Sequence, residues 1–251
     1  MIISKSTKLL LFLSGLFISC IVVAEIIGGK IFSLEDTLGF EKFSFEFFGE
    51  KNLSLNLSVG VLPWPFVFII TDIINDYFGM RTVRFISFIS VFFIFIMFLF
   101  LFVSIHTSSE TTWWLGSKVQ MGVPNMQKAF VAIFGQGMNI IFASIVAFIL
   151  GQLIDSFVFR EIKKRTGDKW KGLRATASTL VSQFIDSVVV TIVAFYFLST
   201  MSLGMALALA FTAYIYKFIV AIFCTPILYF VHFCIESYLG KELAIEMRTN
   251  R

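Results

Sequence analysis

Apolar stretches of about 20 residues recur along this sequence, and this is the length that a helix needs to cross a lipid bilayer. Of the 251 residues, 58% are hydrophobic and only 14% are charged, whereas about 25% of a soluble domain is charged. The pattern predicts an all-α integral membrane protein that forms a single membrane domain with six transmembrane helices. The predicted spans are residues 9–27, 57–74, 83–105, 130–159, 175–198 and 203–233.

The distribution of Lys and Arg predicts the orientation of these spans. With both termini in the cytoplasm, the cytoplasmic segments hold 14 of these residues and the external segments hold five. Positive charge is enriched on the cytoplasmic side of membrane proteins, so N-in/C-in is the expected topology. Residues 31–56 then form an acidic external loop. Residues 160–174 form a basic cytoplasmic loop that touches anionic membrane lipid, and a direct nucleic-acid site is the weaker interpretation.

A Gln and an Asp-Ser pair occur twice inside apolar sequence, in GQLIDSFVF and in SQFIDSVVV. Gln152 and Asp155 share a helix face at i and i+3, as do Gln183 and Asp186, and Ser187 extends the second face. At a rise of ~1.5 Å per residue, Asp155 lies about 7 Å from the basic loop, whereas Asp186 lies about 18 Å from it. The two copies of the motif are therefore expected at different depths in the bilayer.

Lys217, on the sixth span, is expected at nearly the depth of Asp186, because a short loop makes these two spans antiparallel neighbours. A lone charge in hydrocarbon costs at least ~2.5–3.5 kcal/mol, so an ion pair or a water-filled cavity is expected. Other polar residues within spans are Asp72 and Glu25. Pro63 and Pro65 flank Trp64, so the start of the second span is expected to be broken or non-helical.

Each of these residues also has a purely structural interpretation. Asp155 can reach the interface or neutralise Arg160, and Asp72 can cap local backbone. Asp186 and Lys217 can form an ion pair without a ligand, Glu25 can be an interface residue, and Trp64 can be ordinary packing surface. The Phe residues are expected mainly to face lipid or to pack between helices.

The residue content argues against several other classes of protein. Three Cys and two His show no spacing typical of a metal or redox site, and the sequence has no glycine-rich nucleotide loop. No nucleophile and base converge, so no catalytic residues, metal or cofactor are predicted, and the protein is not expected to be an enzyme. A structural membrane protein remains an alternative, although it would not need polar side chains at one depth.

Four stretches resemble the queuosine precursor transporters, also called the YhhQ or VUT family, and they occur in the family's order: PFVFIITDIINDYFG, GQLIDSFVF, RATASTLVSQFIDS and YKFIVAIFCTPILY. The resemblance implies a multi-pass protein of the bacterial inner membrane, similar in architecture to the substrate-binding components of vitamin importers. It also implies uptake of 7-deazaguanines, preQ0 or preQ1, for tRNA modification. A vitamin-importer-like subunit for another flat heterocycle is the alternative.

The polar residues suit such a ligand. A deazaguanine presents adjacent N–H donors that one carboxylate can accept, and its O6 needs a donor such as Gln183 or Lys217. Asp186, Gln183, Lys217 and Ser187 are therefore the expected contacts, with Trp64 as a stacking surface. Asp72, Gln152 and Asp155 are expected to form a second polar tier nearer the cytoplasm, suited to gating or release. The sequence leaves open the choice between preQ0, preQ1 and queuine, the energy source and the oligomeric state.

Overall fold

The computed structural model describes residues 4–42, 44–47, 50–166 and 171–249. Eight α-helices carry most of the regular structure in these residues. They are α1 Lys5–Ile27, α2 Leu34–Leu38, α3 Trp64–Phe78, α4 Met80–His106, α5 Met126–Thr166, α6 Lys171–Thr191, α7 Leu203–Leu239 and α8 Lys241–Thr249. A π-helical segment, Ile192–Phe197, continues α6, and short 3-10 turns occupy Val59–Val61 and Val119–Met121.

The helices confirm the all-α membrane fold. Five helical segments of the described chain are long and apolar enough to cross a membrane: Lys5–Ile27, Val59–Phe78, Met80–His106, Met126–Gly151 and Leu203–Leu239. A sixth, shorter apolar helix covers Val181–Phe197. Large apolar side chains such as Phe88, Phe100 and Phe223 are exposed on the outside of the bundle, as expected of a surface that faces lipid.

The second predicted span needs a correction at its start. It was expected to begin at residue 57, but Leu57 lies in a short β-strand and α3 begins only at Trp64. Pro65 occupies the first turn of α3, where a missing N–H costs nothing. The start of the span is thus broken, as expected, since a 3-10 turn at Val59–Val61 precedes the α-helix. Gly79, with φ 83°, separates α3 from α4, and this positive φ suits glycine.

The basic segment 160–174 was expected to be a loop, but its described residues are helical. α5 continues to Thr166 and α6 starts at Lys171, while residues 167–170 lie outside the described residues. The run from Arg160 to Thr166 contains no Gly or Pro, and its Lys, Arg and Glu residues are good helix formers. The helix therefore extends past the apolar span instead of ending with it.

The segment predicted as an acidic loop, residues 31–56, contains folded structure. Its strands are β1 Ile31–Ser33, β2 Phe45–Phe47, β3 Glu50–Leu53 and β4 Asn56–Ser58. β1 pairs with β4 and β2 pairs with β3, both antiparallel. The carboxylate of Glu35 is buried and accepts a hydrogen bond from the N–H of Leu55 at 2.7 Å, which holds the segment closed.

This segment also packs on the membrane helices. The ring of Phe47 stacks on Phe211 of α7 with 5.7 Å between centroids. Ser202, which caps α7, donates a hydrogen bond to Glu50 at 2.5 Å. Strands this short are marginal alone, so the contacts with α7 explain why they form here.

Two apolar clusters among the described residues hold the bundle together. The larger combines buried residues of α1, α3, α4, α7 and α8: Leu9, Leu13, Phe17, Val67, Ile70, Ile73, Ile74, Tyr77, Ile86, Ile235, Leu239 and Ala244. The smaller joins α5, the π-helical segment and α7: Ile140, Ala143, Ala194, Phe195 and Leu209. Buried alanines such as Ala143 and Ala206 allow helices to approach closely, as is common in membrane bundles.

Arg248 fastens α8 to the ends of α3 and α7. Its guanidinium forms salt bridges of 2.8 Å with Asp76 and with Glu236. It also donates a hydrogen bond to the hydroxyl of Tyr77 at 2.9 Å and lies 4.8 Å from the centre of that ring. Asp76 is therefore engaged in a structural network at this end of the bundle.

Candidate functional site

A cavity of about 720 Å³ lies inside the helix bundle. It is lined by α1, α3, α4, α5, α6 and α7, and by residues of β4 and the turn that follows it. Phe17 and Val67 of the larger apolar cluster border it on one side, and Ile140 of the smaller cluster borders it on another. A volume of this size is typical of small-molecule sites.

The centre of the polar lining is an ion pair between two helices. The Nζ atom of Lys217, on α7, lies 2.9 Å from Oδ2 of Asp186, on α6. The same Nζ atom donates to Oε1 of Gln183 at 3.4 Å. Lys217 is only 6% exposed. The ion pair, one of the two outcomes expected from the depths, is therefore present, and the lysine has its charge balanced inside the protein.

Trp64 covers this pair from α3. The Nζ atom of Lys217 lies 4.1 Å from the centre of the Trp64 ring, which is the geometry of a cation–π contact. The start of α3 at Trp64, imposed by its neighbouring prolines, places the indole in the cavity wall. The cavity therefore combines an aromatic face with a carboxylate, an ammonium and an amide.

Ser187 adds a further polar atom. The residue is 4% exposed and lines the cavity, and its Oγ atom is buried with no hydrogen-bond partner among the described residues. Its backbone carbonyl accepts a hydrogen bond from the hydroxyl of Thr191 at 2.7 Å. The π-helical segment starts at Ile192, directly after Thr191. Such irregularities are frequent at functional sites.

Glu25 is a cavity residue that the sequence did not assign to the site. It lines the cavity from α1, is hydrogen-bonded to Ser144 of α5, and interacts electrostatically with both Asp186 and Lys217. Its Oε2 atom is buried and has no partner in the described part of the chain. A charge within the first span was the available signal, because intramembrane carboxylates are costly and usually functional.

Close packing of glycine positions the end of α1. A Cβ atom at Gly60 would lie 2.7 Å from the carbonyl oxygen of Ala24 and 3.1 Å from the Cα atom of Gly28. Only glycine therefore fits between the turn before α3 and the last turn of α1. This contact holds the helix segment that carries Glu25 against the cavity.

Of the predicted second polar tier, the structure describes the side chain of Asp72 only. Asp72 and Asn75 of α3 line the cavity. Gly151 of α5 also borders the cavity. The side chains of Gln152 and Asp155 lie outside the described residues, so the second copy of the motif is placed only by its backbone in α5.

A comparison with protein families matches residues 58–231 to the family described as "Putative vitamin uptake transporter". This range covers well over half of the chain. The chain belongs to this family. It is therefore a multi-pass membrane transporter for a small molecule. No curated protein and no solved structure matches the chain.

The vitamin uptake transporter match includes each of the predicted site residues and leaves out Glu25. It begins at the end of β4 and ends within α7. Trp64, Asp186 and Lys217 thus fall within the part that defines the family, whereas α1 and the folded segment 31–56 lie wholly before it. The family match therefore says nothing about the role of Glu25 in this transporter.

Proposed function

We propose that this transporter imports 7-deazaguanine precursors of queuosine, such as preQ0 or preQ1, for tRNA modification. One observation carries the proposal: Lys217, Asp186 and Gln183 meet beneath the Trp64 ring in the wall of one cavity. A flat heterocycle with adjacent N–H donors and one carbonyl oxygen complements this set of groups.

The proposed pose uses each group once. The carboxylate of Asp186 accepts the N1–H and exocyclic amine of the ligand, in the two-bond arrangement that planar donors favour. Gln183 or Lys217 donates to O6, and the hydroxyl of Ser187 is available to a remaining polar edge. The ring lies against Trp64, where stacking of a nucleobase contributes ~1–3 kcal/mol.

The desolvated site also supports discrimination between heterocycles. A buried polar group that loses its partner costs about 1–3 kcal/mol. A ligand without the adjacent donors would desolvate Asp186 without donating hydrogen bonds to it. This cost favours deazaguanines over flat heterocycles that lack the same edge.

The proposed topology places the polar residues of the cavity relative to the cytoplasm. We infer an N-in/C-in arrangement in the bacterial inner membrane, from the excess of Lys and Arg in the segments assigned to the cytoplasm. Asp72, together with Gln152 and Asp155, then lies nearer the cytoplasm than Asp186. These residues are proposed to act in gating or release.

Ligand titration of the purified protein tests the proposal. preQ0, preQ1, queuine and guanine are titrated side by side by isothermal titration calorimetry in detergent. Saturable binding of a queuosine precursor, at least tenfold tighter than guanine, is the expected result. Binding of none of the precursors by folded protein would refute the proposed substrate class.

A further inference from the structure

The cavity holds a second carboxylate that the central ion pair does not use. The ammonium group of Lys217 already faces Asp186, Gln183 and the Trp64 ring. Glu25 is hydrogen-bonded to Ser144, and its Oε2 atom is buried with no partner among the described residues. One lysine thus stands near two carboxylates.

The charged residues that line the cavity also favour a ligand with positive charge. Among its described lining residues, the carboxylates are Glu25, Asp72 and Asp186, and the cations are Arg84 and Lys217. The lining therefore carries one more acidic than basic group. A buried carboxylate oxygen without a donor is unfavourable, so a ligand that brings a donor with positive charge would relieve this cost.

We propose that Glu25 binds a primary ammonium group of the ligand and makes the transporter prefer a flat heterocycle with a cationic side arm. The inference rests on the proposed function. preQ1 carries an aminomethyl group that is protonated at neutral pH, whereas preQ0 carries an uncharged nitrile at the same position. Asp186 on α6 takes the donor edge of the ring, and Glu25 on α1 takes the substituent.

A comparison of preQ1 with preQ0 distinguishes binding of the ammonium group by Glu25 from a general role of Glu25 in folding. Because both ligands share the ring, Asp186, Gln183 and Trp64 contribute equally to their binding. Only the side arm differs, so the ratio of the two affinities reports the contact with Glu25. A charge-assisted hydrogen bond of this kind corresponds to a change of about tenfold or more in affinity.

The experiment titrates preQ1 and preQ0 into full-length wild type, Glu25→Gln and Glu25→Asp. The matched control is Glu41→Gln, which makes the same exchange at an exposed residue of the segment 31–56. We expect wild type and Glu41→Gln to bind preQ1 at least tenfold more tightly than preQ0. Glu25→Gln should lose this preference by weakening preQ1 at least tenfold while changing preQ0 less than threefold. Glu25→Asp keeps the charge and should retain part of the preference.

The outcomes distinguish this inference from the proposed function. Equal affinity of wild type for preQ0 and preQ1 would overturn the role of Glu25 and leave the substrate class standing. Parallel loss of both ligands in Glu25→Gln, with Glu25→Asp showing no preference, would also overturn it. If wild type binds neither ligand, the proposed function fails and the inference fails with it.

Discussion

Replacing Asp186 by Asn should abolish high-affinity ligand binding while leaving the helix bundle folded. Asn keeps the shape of Asp but turns one acceptor into a donor, which then faces the donors of the ligand. The change also removes the charge that lies 2.9 Å from Lys217 Nζ. Lys217 is 6% exposed, so little water can replace the lost counter-charge.

The expected loss follows from the contacts that disappear. A carboxylate that accepts two donors from a ligand in a desolvated site contributes about 2–4 kcal/mol, which is about 30- to 1,000-fold in affinity. Isothermal titration calorimetry of preQ0 and preQ1 measures this loss, after circular dichroism and size exclusion have shown that the variant is folded.

Two variants make the comparison specific. Asp36→Asn is the matched control, because Asp36 forms an exposed salt bridge of 3.0 Å with Lys42, and it should leave ligand affinity within twofold of wild type. Asp155→Asn should mainly alter the rate of transport, since a carboxylate near the interface can recruit water or lipid headgroups. Affinity of folded Asp186→Asn within threefold of wild type would refute the reasoning, as would an equal loss at Asp155.

The other predictions concern the partners of Asp186 and the topology. Lys217→Met alone should weaken binding, and its combination with Asp186→Asn should be less than additive; strictly additive losses in a double-mutant cycle would contradict the coupling. Trp64→Ala should weaken binding by about 1–3 kcal/mol and Trp64→Phe by less, because stacking needs only an aromatic face; equal titration results for both variants would argue against stacking. Single cysteines in place of Lys51 and Lys164 should react with an impermeant thiol reagent from opposite sides of the membrane, and labelling from one side would disprove the N-in/C-in arrangement.

The sequence was sufficient to predict that Asp186 and Lys217 lie at one depth. Asp186 and Lys217 lie on helices joined by a short connection, and a rise of ~1.5 Å per residue places them at one depth. Because an isolated charge in the bilayer is costly, the two residues had to meet or face water. The salt bridge of 2.9 Å between them is one of these two outcomes, and spacing and solvation did not decide between them.

The position of Glu25 could not be derived in the same way. Whether a carboxylate near the end of a span faces lipid headgroups or a cavity depends on the rotation of its helix. Here that rotation is fixed by the contact between Gly60 and the end of α1, which joins parts of the chain more than 30 residues apart. No local spacing rule reports such a contact.

The segment 31–56 and the extended α5 show two further limits of sequence reasoning. Strands of three or four residues give almost no periodic signal, and these strands are supported by contacts such as Phe47 on Phe211. The start of α3 was predictable, since Pro63 and Pro65 act locally on the backbone. Features set by neighbouring residues, such as the start of α3, could thus be predicted from the sequence. Structure that depends on packing between distant segments, such as these strands, could not.

The most direct test of the central claim measures queuosine in tRNA. Cells that cannot synthesise queuosine precursors and lack any other importer are given external preQ0 or preQ1, with no gene, the wild-type gene or the Asp186→Asn gene. Mass spectrometry of digested tRNA should show queuosine only with the wild-type gene. Equal queuosine with and without the gene would contradict the account.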